Sequence, residues 1–455
     1  MQHIRPKLAL FQRTSISLLI GMALAGTAQA QSLIEIYDMA KSYDAAYQSA
    51  KSQFQANLAK VDQGKANLLP TANLSGGATR SSLESSTNPA TTTTERSYTT
   101  QTAGVTLNQP LYRPANLANY RQSQKALDSA QATLIQAEQD LIVRTSQAYF
   151  DVLSAKDSLT FVKAQKTAVA EQLASAKRNF EVGTSTITDT REAQARYDLV
   201  LAQEIATDND LRVKKLALEM LVGKTGINPL NLKAQSTLPP LPEGSMETWV
   251  NSSEQNHPGI QLAKTNLDVA KLETEKAEAG HKPTVDFTLG YNAQRNLNGT
   301  AVSALSGVSS NQILIASAGI SANLPLFAGF ATQNRIRETV ALEEKARTDL
   351  EGVQRQVAQA TRTAYLGLQS GLGQVNALAA AEASSQSALD ANQLGYKVGV
   401  RINIDVLNSQ SQLYQTKRDL AKARYDVLVG QLKLRQANGS LKAEDLQAVN
   451  ALLAK

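Results

Sequence analysis

Apolar residues recur along this chain in two rhythms, and stretches of one alternate with stretches of the other. Between Asn116 and about Phe180, Leu127, Ala130, Leu134, Ala137 and Leu141 fall at alternating spacings of three and four, the seam of a coiled coil. Between Ala331 and about Lys397 the rhythm returns in Ala346, Leu350, Val353, Val357, Ala360 and Ala364. Shorter stretches follow each, Ile187 to Val222 and Asn403 to Gln436. In the second of these, Val406, Leu413, Leu420, Val427 and Leu434 recur every seven residues. No proline occurs between Pro114 and Pro229 or after Pro325, so nothing breaks these helices. At about 1.5 Å per residue each long helix would reach on the order of 100 Å, more than a single globular core needs. Each ends at a Val-Gly dipeptide, and each long-short pair is expected to form an antiparallel hairpin. Shorter helical stretches, Leu33 to Asn67 and Gly259 to Ala279, precede two segments of a different kind.

Those segments follow Pro70 and Pro283, are poor in charge and rich in Thr, Ser, Gly and Asn, and alternate with period two. Val285, Phe287, Leu289 and Tyr291 share one face of one predicted strand; Ala318, Ile320, Ala322 and Leu324 share one face of another. Ala103, Val105, Leu107 and, less well, Gln109 match them in the first segment. Each segment is expected to be two strands around a long polar loop, Ser82 to Glu95 and Asn296 to Ser310. Long strands with one apolar and one small polar face are the signature of a membrane β-barrel.

The layout is written twice. "AGVTLNQPLY" (Ala103 to Tyr112) pairs with "AGISANLPLF" (Ala318 to Phe327), and "FEVGTSTITDTREAQARYD" (Phe180 to Asp198) pairs without a gap with "YKVGVRINIDVLNSQSQLY" (Tyr396 to Tyr414). The expected organisation is a leader over 1–30, a first repeat over 31–225 with strands at about 70–113, an insert over 226–257, a second repeat over 258–437 with strands at about 283–327, and a tail over 438–455.

Four strands per chain cannot close, because the smallest barrels of this kind have about eight, and an open edge leaves unpaired amides in hydrocarbon. Strands must therefore come from other copies. A dimer would give a barrel filled by side chains, whereas a homotrimer gives twelve strands and a usable bore. The expected fold is mostly α with membrane β: a trimeric 12-stranded barrel continuous with a long α-helical coiled-coil barrel, carrying an internal duplication.

Composition narrows the function. The first thirty residues combine Arg5, Lys7 and Arg13 with an apolar run from Ile16 to Ala25 and end at Ala28-Gln29-Ala30, as a cleaved secretory signal does. Removing its three basic residues lowers the formal charge from +6 to +3. A chain so nearly balanced gives no electrostatic case for nucleic acid. The absence of cysteine excludes disulfides, thiolate chemistry and a lipidated start, and His257 and His281 are too few for a triad or zinc site. No spacing selects a carboxylate pair, a phosphate loop or a nucleophile elbow, so the chain is not expected to be an enzyme, to hold a metal or to need a cofactor. A trimeric surface adhesin is the alternative to a channel, but it would lack strands set between two helical hairpins.

"NQPLYRP" and "NLPLFAG" at the strand-to-helix junctions, "FEVGTSTITD" and "YKVGVRINIDVL" at the hairpin turns, and the duplicated layout resemble the TolC-like outer-membrane efflux and secretion channels over essentially the whole mature chain. The resemblance implies a barrel in the outer membrane, in contact with its lipid, and a periplasmic tunnel closed at its inner end. It implies service to tripartite efflux pumps and type I secretion, through a periplasmic adaptor and an inner-membrane transporter of RND, ABC or MFS type.

It also assigns residues. Tyr396 and Arg401 on one hairpin would bind Thr188 and Asp189 on another as a latch, and Asp405 would project into a constriction as a ring of three. Where the family prototype has a second aspartate one turn on, this chain has Asn408, which implies weaker cation selectivity and weaker block by multivalent cations. Val182, Gly183, Thr184, Val398, Gly399 and Val400 would form the tips that meet the adaptor. The two glycines are also suited to be helix C-caps, and Asp189 also fits the closing residue of a capping box begun by Thr186. By residue type alone Tyr396 and Arg401 are ordinary solvated residues. Tyr112, Phe327 and Phe330 are expected as an aromatic girdle at the inner membrane boundary. The Pro-rich insert and the tail from Ser440 are expected to form a collar in which Trp249 packs.

Overall fold

The computed structural model describes residues 30–86, 93–233, 237–297 and 310–454. The expected leader up to residue 29 lies outside the described residues, as do the middles of the two polar loops. The elements are α1 (Leu33–Tyr43), α2 (Ala45–Ala66), β1 (Thr71–Ser86), β2 (Thr93–Tyr112), α3 (Pro114–Glu181), α4 (Ile187–Val222), α5 (Met246–Asn256), α6 (Pro258–Glu278), β3 (Thr284–Leu297), β4 (Ser310–Asn323), α7 (Ala331–Lys397), α8 (Asn403–Asn438) and α9 (Asp445–Asn450). The order of helices, strand pair, long helix and shorter helix is the same in both halves, as the sequence repeat predicts. No helix among the described residues is long and apolar enough to cross a membrane.

The chain divides into two units, and α3 and α7 contribute residues to each. One, Ala50–Leu134 with Pro258–Arg355, contains the sheet. Its four strands are antiparallel in the order β1-β2-β3-β4, so β1 and β4 leave unpaired edges within one chain. Register puts Leu74 opposite Val105, Val105 opposite Tyr291, and Leu289 opposite Ala318, which gathers the apolar residues on one face. The other face carries Asn73, Thr102, Thr106, Thr288 and Asn292, with Ile313 and Ile315 as its apolar exceptions. At the helix end of the sheet, Arg113 donates from Nε and Nη2 to both oxygens of Asp286, at 2.8 and 2.5 Å, fixing the start of α3 against β3.

Two expectations need correction here. The loop expected from Ser82 to Glu95 is shorter, because β1 and β2 stay paired through Ser82↔Ser97 and Glu84↔Glu95 up to Ser86↔Thr93; segments rich in Ser and Thr suit an extended ladder as well as a loop. The second strand pairs are also unequal. β2 continues to Tyr112 across an irregularity at Pro110, whereas β4 stops at Asn323, before Pro325.

The other unit holds the remainder. Its core includes Val162, Val169, Leu173, Ala193, Val200 and Leu407 from α3, α4 and α8. The seven-residue seam of α8 is buried, with Leu420, Val427 and Leu434 packed on Leu368 and Val375 of α7, and Val406 and Leu413 on Leu389. Trp249 joins Leu238 and Leu241 against this core and donates its indole N–H to the Glu243 carbonyl at 3.2 Å, a packing role. Short bridges pair Leu232 with Leu453 and Gln31 with Pro229.

The single helix expected over Leu33 to Asn67 is instead two. Asp44 leaves the helical conformation, and its carboxylate accepts from the Tyr47 N–H at 2.8 Å to start α2 and from Arg144 at 3.0 and 3.1 Å. Burial pushes the Asp44 carboxyl up, but Arg144 and the backbone donors outweigh it and hold it below the usual range.

Candidate functional site: the hairpin tips

The two Val-Gly turns fold alike. After α3, the Gly183 N–H donates to Phe180 O at 3.0 Å and the Thr184 N–H to Asn179 O at 2.8 Å. After α7, the Gly399 N–H donates to Tyr396 O at 3.2 Å and the Val400 N–H to Gly395 O at 2.9 Å. Paired bonds of this kind close the last carbonyls of a helix and need a left-handed residue, and Gly183 and Gly399 have φ of 76° and 81°. Both glycines are therefore C-caps. Around them Val182, Val398 and Val400 are 73%, 64% and 75% exposed, an uncovered apolar tip on each hairpin; Thr184 is exposed as well.

The helices that return from the tips start differently. At α4, Thr186 accepts from the Asp189 N–H at 3.2 Å and the Asp189 carboxylate accepts from the Thr186 N–H at 3.0 Å, a complete capping box. Ser185 and the Thr186 hydroxyl donate to the same carboxylate oxygen, each at 2.8 Å. Burial pushes the Asp189 carboxyl up, but the donors from Ser185 and Thr186 prevail and hold it below the ordinary carboxylate range. At α8 the cap position is Ile402, which offers no acceptor. Asp405, the counterpart of Asp189 in the repeat, is thereby left out of a cap. It faces Arg401 instead, at 3.6 Å.

The residues expected to form a latch have the following partners within one chain. Asp189 is held by its own cap. Tyr396 accepts at its hydroxyl from the Asn179 side-chain amide at 3.2 Å, which joins the second hairpin to the first. Arg401 pairs with Asp405, and Thr188 is exposed. One chain does not bring Tyr396 or Arg401 onto Thr188 or Asp189. Asn408 is exposed and accepts from Arg196 Nη2 of α4 at 2.8 Å.

Two residues here escaped the sequence reading. Arg196 is one; nothing in its local pattern marks it, because its partner lies on the other hairpin. The other is Asn403, only 1% exposed, whose amide nitrogen donates to the Asp189 carbonyl at 3.3 Å and whose oxygen accepts from Gln172. Its signal was present: in the aligned repeats Asn403 stands where the first copy has Ile187, a polar residue replacing an apolar one at a helix start.

At the sheet's helix end, the Phe327 and Phe330 rings meet edge to face with centroids 5.5 Å apart. Both rings and Tyr112 are exposed, and Phe330 takes a φ of 64°, rare for a residue with a side chain.

A duplicated hairpin with paired tips, joined to an open four-stranded sheet with one apolar face, is the frame of the outer membrane efflux proteins, whose family model matches residues 36–224 and 249–440. The chain belongs to the outer membrane efflux protein family. It is 32% identical over 428 residues to the outer membrane protein TolC of Vibrio cholerae, covering 94% of this chain and 95% of that protein. It is 28% identical over 446 residues to the proteases secretion protein PrtF of Dickeya chrysanthemi, covering 97% and 95%. The fold is shared with the crystal structure of the outer membrane protein VceC of V. cholerae, with a TM-score of 0.74 at 18% identity over 90% of this chain and 96% of that one. As a member of the outer membrane efflux family, the protein is an outer-membrane channel that extends into the periplasm.

Proposed function

We propose that three copies of this chain form the exit duct of tripartite efflux and type I secretion machinery, passive in itself and gated at the hairpin tips. The open edges of β1 and β4 support assembly, since four strands cannot close alone and twelve leave a bore. In the trimer, Arg401 and Tyr396 would exchange or share their present partners with Thr188 and Asp189 of a neighbouring hairpin, closing the mouth. Asp405 would face the axis as a ring of three, with Asn408 one turn on. The exposed valines around Gly183 and Gly399 would dock a periplasmic adaptor coupled to an inner-membrane transporter. The girdle of Tyr112, Phe327 and Phe330 would mark the periplasmic boundary of the membrane. The collar would comprise the insert and tail that pack around Trp249.

The observation that carries this reading is the unequal start of the two returning helices. In one repeat the aspartate closes a capping box, while in the other, where Ile402 replaces Thr186 at the cap position, Asp405 pairs with Arg401 instead. That asymmetry fits a gate with a fixed side and a movable side. The relatives include a protease secretion protein as well as TolC, so cargo selection is assigned to the transporter and not to the duct. The test is twofold: a native mass three times that of the monomer, and crosslinking from Val398→Cys to a co-expressed periplasmic adaptor. A mass twice the monomer's, or no crosslink while the channel still supports export, contradicts the reading. Unchanged susceptibility to vancomycin, bile salts and dyes after deletion would assign the duct to protein secretion alone.

A further inference from the structure

The apolar face of the sheet ends abruptly. On β3 it runs from Val285 through Phe287, Leu289, Tyr291 and Ala293, and the next residue on that face is Arg295. On β1 it runs from Ala72 through Leu74, Gly76 and Ala78, and the next is Arg80. No register shift interrupts β1 or β3 between these positions, so both arginines lie on the apolar face. Both are exposed, and among the described residues neither takes part in a salt bridge.

The two arginines lie close together. Arg80 pairs with Thr99 on β2 and Arg295 with Gln101, one dyad away on the same strand. Their backbones are thus about 10 Å apart across the sheet and about 7 Å along it, a gap that two extended arginine side chains can close from either side. Gln101 and Gln312 flank Arg295 in register and add amide donors to the row. The nearest acid described on this face of β1 is Glu84, four residues beyond Arg80. That is about 13 Å along the strand, too far for a direct ion pair.

Their height matters as much as their charge. Arg295 follows Val285 by ten residues, about 34 Å along a strand and about 26 Å across a membrane at the usual tilt near 40°. The apolar band of such barrels is about 25 Å tall. In the arrangement proposed above, the helix-bearing strand ends and the aromatic residues Tyr112, Phe327 and Phe330 mark the periplasmic limit of the band. The arginine row therefore sits at the opposite limit, level with the headgroups of the outer leaflet.

From this placement we propose that Arg80 and Arg295, with Gln101 and Gln312, form a binding site for the phosphate groups of outer-leaflet lipid headgroups. A guanidinium binds phosphate through paired N–H donors, and an ammonium or a neutral side chain at the same height would not match that geometry. An adjacent apolar face holds the acyl chains of the same lipid, so headgroup and tail are bound together. Trimerisation would place three such sites around the barrel. The proposal rests on the sheet lying in the membrane and not on the gate, so failure of one leaves the other standing.

The test is native mass spectrometry of the full assembled protein in neutral detergent, titrated with phosphatidic acid or with phosphatidylcholine of the same acyl chains. The native protein is expected to retain phosphatidic acid preferentially. Arg80→Gln and Arg295→Gln should each weaken that retention roughly fivefold, and the double variant roughly 25-fold. The Arg80→Lys/Arg295→Lys variant should keep part of the preference, which separates loss of charge from loss of fold. Equal retention of the two lipids, or an unaltered preference in the glutamine double variant, overturns the site. So does complete displacement by inorganic phosphate, which would make it a place for small anions and not for lipid.

Discussion

Asn403 reaches across the two hairpins to Asp189, donating its side-chain amide to the Asp189 main-chain carbonyl at 3.3 Å. The bond ties the start of α8 to the first turn of α4 at the point where Asp189 is itself fixed by the capping box. Gln172 of α3 completes the junction by donating to Asn403.

Replacing Asn403 with Leu should leave the Gln172 amide and the Asp189 carbonyl without their partner in a buried place. The expected cost is about 1–3 kcal/mol of local stability. Faster hydrogen exchange of the amides from Thr186 to Thr190, with the rest of α4 unchanged, checks this. Replacement by Gln should restore less than half, since the longer side chain cannot keep both bonds.

The bond from Arg196 changes what Asn408 implies for ion flow. An aspartate at this position would meet the Arg196 guanidinium, so Asn408→Asp alone should raise cation selectivity and multivalent-cation block only modestly. Asn408→Asp combined with Arg196→Gln should raise both strongly, because three uncompensated charges then enter the mouth of a trimer. Reversal potentials and cation block in planar bilayers read the difference. Equal effects of the single and double variants would remove Arg196 from the account.

Acid should loosen the first hairpin. The carboxyl of Asp189 is held below its ordinary value, so the stability its cap contributes is complete above the unfolded value near 4 and is lost as pH falls through the folded value. Thr186→Ala should remove about 1 kcal/mol of helix-start stability at neutral pH and flatten this acid dependence. Hydrogen exchange at the start of α4, followed from pH 6 down to pH 3, checks both.

Gly399 and Gly352 offer a controlled contrast. A Cβ added at either would meet nothing within 4 Å, yet only Gly399 has a positive φ, of 81°. Gly399→Ala should therefore cost about 1 kcal/mol through backbone strain. Gly352→Ala, inside α7, should gain up to about 1 kcal/mol through helix propensity. Thermal melting of the two variants gives opposite shifts if the tip conformation is as described.

Much of the fold was legible because it is periodic. The seam of α8, Val406 to Leu434, is both the most regular pattern in the sequence and buried throughout, and the proline-free stretches run as unbroken long helices up to Gly183 and Gly399. The break at Asp44 was hidden because its cause is Arg144, a hundred residues away. Strand ends at Ser86 and Asn323 were misjudged for a related reason: Ser, Thr and Asn serve ladders and loops equally, and pairing decides between them. At the tips, the duplicated glycines announced their left-handed turns. The unequal partners of Asp189 and Asp405 followed from Thr186 against Ile402, which could have been read from the alignment. Arg196 could not, since only the packing of α4 beside α8 brings it to Asn408.

The central claim is that the hairpin tips are the gate, and single-channel recording of the reconstituted trimer tests it most directly. Tyr396→Phe combined with Arg401→Ser removes the hydroxyl that meets Asn179 and the cation that meets Asp405. The account predicts a resting conductance several times that of the native channel, with the barrel and trimer intact. A conductance equal to the native one in an intact trimer would contradict it.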